Sequence, residues 1–133
     1  MYSLQVLTGA TGSLGGHILQ RLVSSPSVSK VICLSRAKSH AESLSRVQDS
    51  LQHRRRVLSV DEQDKIESLA ANVNEDKLGL TEAEYARVQS QATAVIHVCV
   101  LFPCLSSFFL VLSTESLLSS RLERLACQLR SGY

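Results

Sequence analysis

Four glycines stand close together near the start of the chain, in the stretch LTGATGSLGGHILQRL at residues 7–22. They are Gly9, Gly12, Gly15 and Gly16. Glycine lets the backbone turn sharply and approach a ligand closely because it carries no Cβ. The first turn of a helix also offers unpaired N–H groups and the positive end of the helix dipole to an anion. A glycine-rich loop that opens a helix is therefore typical of a phosphate-binding site.

The segments around this loop are those that such a site needs. Residues 4–8 are mostly apolar and predict a buried strand, and apolar residues then recur at the three- and four-residue spacing of an amphipathic helix. Pro26 is predicted to help end that helix, and residues 30–34 are predicted to form a second strand. Strand, glycine turn, helix and strand in this order are the context of a dinucleotide-binding loop. The alternative is a structural turn in an unrelated α/β protein.

The spacing G-x-x-G-x-x-G suggests a different role for each glycine. We expect Gly9 to turn the chain out of the strand, Gly12 to let the backbone approach a pyrophosphate, and Gly15 to let the helix pack closely on the sheet. Thr11 and Ser13 are candidate hydroxyl donors to the phosphates, and Ser13 could also cap the helix.

The residue after the second strand is expected to meet the adenosine ribose. An acidic residue there favours the free 2′-hydroxyl of NAD, whereas an arginine accommodates the 2′-phosphate of NADP. This chain has no acid at that point and has Arg36 instead, whose planar guanidinium can donate two hydrogen bonds to a phosphate. NADP is therefore the predicted cofactor, and a solvated surface arginine is the alternative.

Size and composition limit the other functions of the chain. Its 133 residues suit one domain at most, and a net charge of +2 is too small to indicate nucleic-acid binding. The one dense basic run, residues 54–56, is interpreted as a solvated helix end rather than a phosphate-binding patch. The four cysteines show neither C-x-x-C nor metal-ligand spacing, so we predict no metal site and expect reduced thiols in a cytoplasmic protein. No signal peptide is indicated.

The middle of the chain alternates between helix and strand patterns. Residues 38–56 predict one long polar helix, and residues 66–73 predict a third strand. Thr81 and Glu84 have the spacing of a capping box at the start of another helix, and residues 94–98 predict a fourth strand. This alternation predicts a doubly wound, Rossmann-like α/β fold with a parallel sheet of about four strands.

Several of these motifs occur together in one known family. The stretches VLTGATGSLGGHIL, VICLSRA, KLGLTEAEY and AVIHV follow one another within residues 4–99. Together they resemble the thioester reductases, a group of extended short-chain dehydrogenases that includes male-sterility-type fatty acyl reductases and the reductase domains of carboxylic acid reductases. Within this group, the motifs are most similar to those of the terminal reductase domains of fungal peptide-synthetase-like enzymes. The resemblance implies that NADPH reduces an acyl thioester, held on a phosphopantetheine carrier domain, to an aldehyde or alcohol.

The resemblance also implies roles for particular residues. The family's pyrophosphate-binding positions fall on Gly9, Thr11, Gly12, Leu14 and Gly15. Arg36 would take the 2′-phosphate, and Arg46 matches the family's second arginine near that phosphate, with a solvent-facing helix charge as the alternative. The family's adenine-contacting acid falls on Asn72, whose amide can still hydrogen-bond a base. His97 matches the family's fourth-strand histidine, and a satisfied core residue is its favoured interpretation.

The family's catalytic pair is not found in this sequence. Hydride-transferring members need Tyr-x-x-x-Lys, which places both side chains on one helix face so that the lysine lowers the tyrosine pKa. Tyr85 is followed four residues later by Gln89, and neither Tyr2 nor Tyr133 has a lysine at that spacing. No catalytic residue is therefore predicted. We expect the chain to bind the cofactor without catalysing the reduction alone, and we expect the family's substrate domain to lie beyond it.

The sequence changes character after Cys99. Residues 100–120 are rich in apolar residues and serine, and three interpretations compete. The first is a membrane helix over residues 94–112, which histidine, proline and serines interrupt. The second is a genuine C-terminus that packs as helix, and the third, which we favour, is translated intron sequence, since these residue types can all have pyrimidine-rich codons. The predicted division is an incomplete NADP-binding unit at residues 1–99 and an atypical helical or disordered tail at residues 100–133.

Two rival hypotheses place the chain in other classes of protein. One is a non-catalytic nucleotide-binding or regulatory module that docks on a larger synthase. The other is a non-functional truncated product, because half a sheet leaves an unpaired edge and uncovered apolar faces. A melting temperature that NADPH raises and NADH does not would favour the reductase interpretation, and the absence of a cooperative transition would favour the truncated product.

Overall fold

The computed structural model describes residues 3–72, 75–100 and 107–113. The strands are β1 Ser3–Thr8, β2 Val28–Ser35, β3 Ile66–Ala70, β4 Ala94–Val100 and β5 Ser107–Ser113. The helices are α1 Ser13–Ser24, α2 His40–His53, α3 Val60–Asp64 and α4 Glu82–Gln91, and a 3₁₀ turn at Asp76–Gly79 precedes α4. The first four strands lie where the sequence pattern predicts them, with ends that differ by up to three residues.

The strands form one sheet in the order β3-β2-β1-β4-β5. The first strand of the chain, β1, lies between β2 and β4 and runs parallel to both, with Val6 opposite Ile32 and Val95. The third strand, β3, is parallel to β2. The predicted Rossmann-like parallel sheet of four strands is therefore confirmed.

Helices cover both faces of this sheet. Successive side chains of a strand point to opposite faces, so the apolar strands present apolar side chains on both faces. The apolar cluster on one face joins the strands to α4 and includes Val6, Ile32, Val95 and Val88. The cluster on the other face joins them to α1 and α2 and includes Leu7, Ile96, Leu19 and Val47. The crossover from β3 to β4 therefore runs over the face opposite to that of the two crossovers before it. We call the gap between the carboxyl ends of β1 and β4 the switch point.

The fifth strand corrects part of the sequence-based prediction for the tail. Residues 107–113 pair antiparallel with β4, whereas a helical or disordered tail was predicted for residues 100–133. A membrane helix over residues 94–112 is also wrong for the described part, because residues 94–100 are a strand. Phenylalanine and valine suit a pleated strand, which explains the extended form. The helix predicted near residues 120–129 lies outside the described residues. Within the described ranges, no helix is long and apolar enough to cross a bilayer.

Buried serines fix α2 against the sheet. Ser39 caps the start of α2 by accepting a hydrogen bond from the N–H of Glu42. The hydroxyl of Ser43, which is fully buried, lies 2.6 Å from that of Ser35 on β2 and 2.5 Å from that of Ser68 on β3. Buried hydroxyls cost free energy unless they are hydrogen-bonded, so this network sets the position of α2.

The carboxylate of Glu67 on β3 connects the edge of the sheet to α4. It accepts hydrogen bonds from Lys30 on β2, at 3.1 Å, and from the guanidinium of Arg87 on α4. These hydrogen bonds, that of Arg87 first, hold the pKa of Glu67 below its usual value. A carboxyl group with a lowered folded-state pKa stabilises the fold above its unfolded-state pKa, and this stabilisation is lost as the pH falls through the folded-state pKa.

The substitution Glu67→Gln tests this connection. We expect it to lower the free energy of unfolding at pH 7 by about 1 kcal/mol, because partly exposed ion pairs contribute little more than that. It should also make the loss of stability shallower as the pH falls below about 4.5, the usual pKa of a glutamate. Urea unfolding between pH 7 and pH 3 measures both effects. The control is Glu82→Gln, whose side chain is 83% exposed beside Lys77; equal effects of the two variants at every pH would contradict the prediction.

Candidate functional site

The glycine loop lies at the carboxyl end of β1, at the switch point, where open α/β sheets bind their ligands. Gly9 leaves β1 with a φ of 75°. A Cβ on Gly9 would lie 2.6 Å from the carbonyl oxygen of Val98 on β4. Any other residue would be strained there and would push β4 away, so Gly9 makes the predicted turn and also permits the approach of the two strands.

Gly15 and Gly12 differ in the space around them: Gly15 is crowded and Gly12 is open. A Cβ on Gly15 would lie 1.8 Å from the carbonyl oxygen of Gly9, so α1 packs directly on the backbone of the loop. A Cβ on Gly12 would meet only that same oxygen, at 3.3 Å, and would otherwise face open space. Leu14, in the first turn of α1, is 38% exposed. Gly15 is therefore needed for packing, while Gly12 leaves the start of the helix open to a ligand.

The start of α1 carries no side-chain cap. Gly12 is the N-cap residue, no side chain accepts a hydrogen bond from the first-turn N–H groups, and the first turn contains no acidic residue. The three other α-helices in the described ranges each have a serine or threonine cap and a first-turn acid. Ser13 is exposed as the first residue inside the helix, so its prediction as a cap is wrong. Unpaired N–H groups and the helix dipole are left to attract an anion.

Two predicted arginines lie together at the end of β2. Arg36 follows the last residue of β2 and is exposed. Arg46, on α2, is also exposed, and its guanidinium donates a hydrogen bond to the carbonyl oxygen of Arg36. Because β1 and β2 are parallel neighbours, this pair lies at the same edge of the sheet as the glycine loop.

An open cleft of about 450 Å³ lies between the glycine loop and α2. It is lined by Thr11, Arg46, Asp49, Ser50, His53 and Arg54. Two guanidinium groups and one carboxylate border the cleft, so its net charge is positive even with a neutral histidine. A positive cleft beside open helix amides suits a phosphorylated ligand.

The run Arg54–Arg56 is more than the solvated helix end expected from the sequence. The guanidinium of Arg54 donates to the carbonyl oxygen of Thr11 at 3.0 Å, and Ser50 donates to the same oxygen at 2.7 Å. Arg56 is half-buried and donates to the side-chain oxygen of Gln20 on α1 at 2.8 Å. Sequence reasoning did not assign these contacts to the loop, although the four-residue spacing from Arg46 to Ser50 to Arg54 indicates one stripe along the helix.

Asn72 lies two residues beyond β3, at the same edge of the sheet. Its side-chain amide donates to the carboxylate of Glu75 at 2.8 Å, and its backbone N–H donates to the carbonyl oxygen of Leu78 at 2.8 Å. A contact between Asn72 and adenine stays a prediction. Three adjacent strands thus end in the glycine loop, an arginine and an amide.

His97 joins the two strands that flank the switch point. Its Nδ1 atom lies 2.6 Å from the hydroxyl of Thr8, which also accepts the backbone N–H of Val98 at 3.3 Å. The hydroxyl can donate its proton to Nδ1 when the imidazole carries its own proton on Nε2. Burial lowers the pKa of His97, which favours the same neutral form. His97 is half-buried and hydrogen-bonded, as a structural histidine would be.

The fold and the open glycine loop define an α/β domain of the dinucleotide-binding class. The family model described as male sterility protein, a family of NAD-binding domains, matches residues 7–104. The chain belongs to this family, as the resemblance of its motifs indicates.

Similar curated proteins are fungal polyketide synthases. The chain is 41% identical over 92 residues to the iterative polyketide synthase afoE of Emericella nidulans and 39% identical over 93 residues to the non-reducing polyketide synthase SAT8 of Stachybotrys chartarum. Each match covers 69% of this chain, but only 3% of the first protein and 4% of the second. The chain thus spans a small part of the length of these relatives.

Similar solved structures are reductase domains. The reductase domain of a non-ribosomal peptide synthetase from Mycobacterium tuberculosis has a TM-score of 0.67 at 22% identity, which supports the fold alone. The terminal R domain from the myxalamid PKS-NRPS biosynthetic pathway has a TM-score of 0.67 at 27% identity; both matches cover 79% of this chain and 26% of the other. The PhqB reductase domain from Penicillium fellutanum has a TM-score of 0.66 at 29% identity, over 76% of this chain and 28% of that domain. The chain spans about a quarter of these domains.

Two neighbouring glycines of α1 give a matched test of the loop. Gly15→Ala should destabilise the fold by about 3 kcal/mol or more, because its Cβ would overlap the backbone oxygen of Gly9. Gly16→Ala should be neutral or stabilising by up to about 1 kcal/mol, because its Cβ would meet nothing nearer than 3.5 Å and alanine favours helix. Urea unfolding of the two variants measures the difference. Equal destabilisation would show that the close approach at Gly15 does not matter.

Proposed function

We propose that the chain binds NADP(H) as the N-terminal part of a reductase domain, which in its full-length form reduces a carrier-bound acyl thioester to an aldehyde or alcohol. One observation carries this proposal. The uncapped start of α1 lies at the switch point, beside a positive cleft and the pair Arg36 and Arg46. The name of the family and the reductase domains among the similar structures support the same reaction class.

The residues present fit a phosphorylated dinucleotide. The loop from Gly9 to Gly15 would hold the pyrophosphate with backbone N–H groups, because Gly12 leaves its outer side open. Arg36 and Arg46 would hold the 2′-phosphate, which NAD lacks, with charge-assisted hydrogen bonds. When bound, the cofactor supplies the hydride for the reduction. The residues of this chain bind and orient it.

The substrate and the cellular setting belong to the same proposal. The terminal R domain from the myxalamid PKS-NRPS biosynthetic pathway and the similar fungal polyketide synthases support an acyl group presented on a phosphopantetheine carrier domain. A cytoplasmic location agrees with Cys33, which is buried as a free thiol and whose pKa burial raises to about 12. A thiol in this state is unreactive.

Cofactor binding can be tested by thermal denaturation with NADPH or NADH. A ligand that binds only the folded state at one hundred times its Kd stabilises it by about 2.7 kcal/mol, so NADPH should raise the melting temperature. Arg36→Ala and Arg46→Ala should weaken NADPH binding about tenfold each and change NADH binding little, since each removes a charged hydrogen bond to the extra phosphate.

The control for these variants is Arg21→Ala, which removes the same charge at the opposite end of α1. It should leave both titrations unchanged. Equal shifts with the two cofactors in the unmodified chain would refute the role of Arg36. A chain that melts cooperatively and responds to neither cofactor would refute the proposal as a whole.

A second candidate function is a non-catalytic nucleotide-binding module, which would use the same open glycine loop and positive cleft. Both candidates give the same expectation for this chain: NADPH absorbance at 340 nm should not fall when an acyl thioester is added, because the sequence lacks the Tyr-x-x-x-Lys pair that would protonate the carbonyl oxygen. The measurement needs a complete reductase domain as its positive control. NADPH oxidation that depends on the thioester would contradict this expectation and reveal another acid in the chain.

A further inference from the structure

We propose that Ser50 and Arg54 are positioning residues for the glycine loop. They hold the carbonyl oxygen of Thr11 toward α2, and this keeps the amides that follow it directed at the phosphates. The inference rests on the proposed binding of a dinucleotide at this loop. It gives a role to a basic run that the predicted phosphate contacts of Arg36 and Arg46 do not use.

The contacts converge on one atom. The hydroxyl of Ser50 donates to the carbonyl oxygen of Thr11 at 2.7 Å, and a guanidinium nitrogen of Arg54 donates to it at 3.0 Å. The same guanidinium also donates to the hydroxyl of Ser50. A carbonyl oxygen has two lone pairs, so these two donors satisfy it fully. We call these three residues the Thr11 clamp.

The clamp fixes a whole peptide plane. The peptide bond between Thr11 and Gly12 is planar, and in a trans peptide its C=O and N–H point to opposite sides. The N–H of Gly12 donates to the carbonyl oxygen of Gly9 at 3.1 Å, while the clamp holds the C=O from the side of α2. Gly12 is the N-cap residue, and its own carbonyl accepts the N–H of Gly16 at 2.9 Å. Both ends of the peptide plane before the helix are therefore held.

This orientation matters to an anionic ligand. If the plane rotated, the carbonyl oxygen of Thr11 would turn toward the open side of the loop and repel phosphate oxygens. Free rotation would also have to be frozen on binding, at an entropic cost that a pre-ordered loop avoids. The clamp should thus strengthen the binding of NADPH and NADH by the same factor, because both carry the pyrophosphate.

A direct role of Arg54 at a phosphate would behave differently. Arg54 lies in the positive cleft with Arg46, so its charge alone could attract the 2′-phosphate. In that case removing the charge of Arg54 would weaken the binding of NADPH and not of NADH, and the difference would shrink with added salt. An uncharged replacement would not restore the lost affinity. If Arg54 acts through the clamp, a glutamine at its position keeps a hydrogen-bond donor and retains part of the affinity for both cofactors.

Matched variants separate the two roles. Ser50→Ala and Arg54→Ala each remove a donor, whereas Ser50→Thr and Arg54→Gln each keep one. Arg55→Ala removes the same charge from the next, exposed residue and serves as the control. Kd values for NADPH and for NADH are measured by fluorescence titration of the full chain. We expect each alanine variant to weaken both cofactors about three- to tenfold, the threonine and glutamine variants to recover at least half of the loss on a logarithmic scale, and the control to match the unmodified chain.

Hydrogen exchange gives a readout without any cofactor. The amides of residues 12–14 should exchange about three- to tenfold faster in the two alanine variants, since the clamp holds the loop before the ligand arrives. The amides of β2 and β3 should exchange at unchanged rates, which shows that the rest of the fold is intact. If Arg54→Ala melts at a much lower temperature, Ser50→Ala and Arg54→Gln decide the test.

The outcomes distinguish this inference from the proposed function. Loss of NADPH binding alone in Arg54→Ala, without recovery in Arg54→Gln, would overturn the clamp and make Arg54 a direct phosphate ligand. Alanine variants with the affinities and exchange rates of Arg55→Ala would overturn the clamp while NADPH binding and the selective effect of Arg36→Ala remain. An unmodified chain that binds neither cofactor would overturn both proposals.

Discussion

The contact between the carbonyl oxygen of Gly9 and the Cα of Gly15 determines where everything else at the site can lie. A side chain at residue 15 would need space that this oxygen occupies, so α1 can begin against the loop only because glycine is there. The neighbouring approach of Gly9 to Val98 brings β4 to the same point. The lack of side chains that allows this packing also leaves the first amides of α1 open. Both the packing of the fold and the proposed binding of a ligand therefore require glycines in this short segment.

The second helix, α2, supplies most of the polar surroundings of the loop. Its position follows from the buried hydroxyl network of Ser43 with Ser35 and Ser68. From that position its exposed stripe reaches two points, the carbonyl of Arg36 and the carbonyl of Thr11. In the proposed function, the first point bears on the choice between the two nicotinamide cofactors, and the second bears on the shape of the loop that both would use. One packing arrangement would then support cofactor selectivity at one point and cofactor affinity at the other.

Local sequence patterns predict most of the helices and strands and the position of the glycine loop. These patterns depend on residues that are near one another in the sequence: the glycine spacing, the strand and helix periods, and the Thr81–Glu84 capping box. Each of them appears in the structure. Residues 107–113 were misjudged because an apolar run without a period suits a strand or a helix equally. Ser13 was misjudged because the extended backbone at Gly12 starts α1 one residue earlier. The clamp was missed because Arg54 and Thr11 lie 43 residues apart and meet only through tertiary packing.

The central position of β1 has a consequence for how the protein is made. This strand precedes the other four described strands in the sequence, yet it lies in the middle of the sheet. One of its edges can pair as soon as β2 has emerged, but the other waits for β4, where His97 lies 89 residues beyond its partner Thr8. Pairings so remote in sequence form slowly. The edge of β1 that faces β4 therefore stays unpaired while the residues between the two strands are synthesised, and the switch point forms only once β4 has emerged.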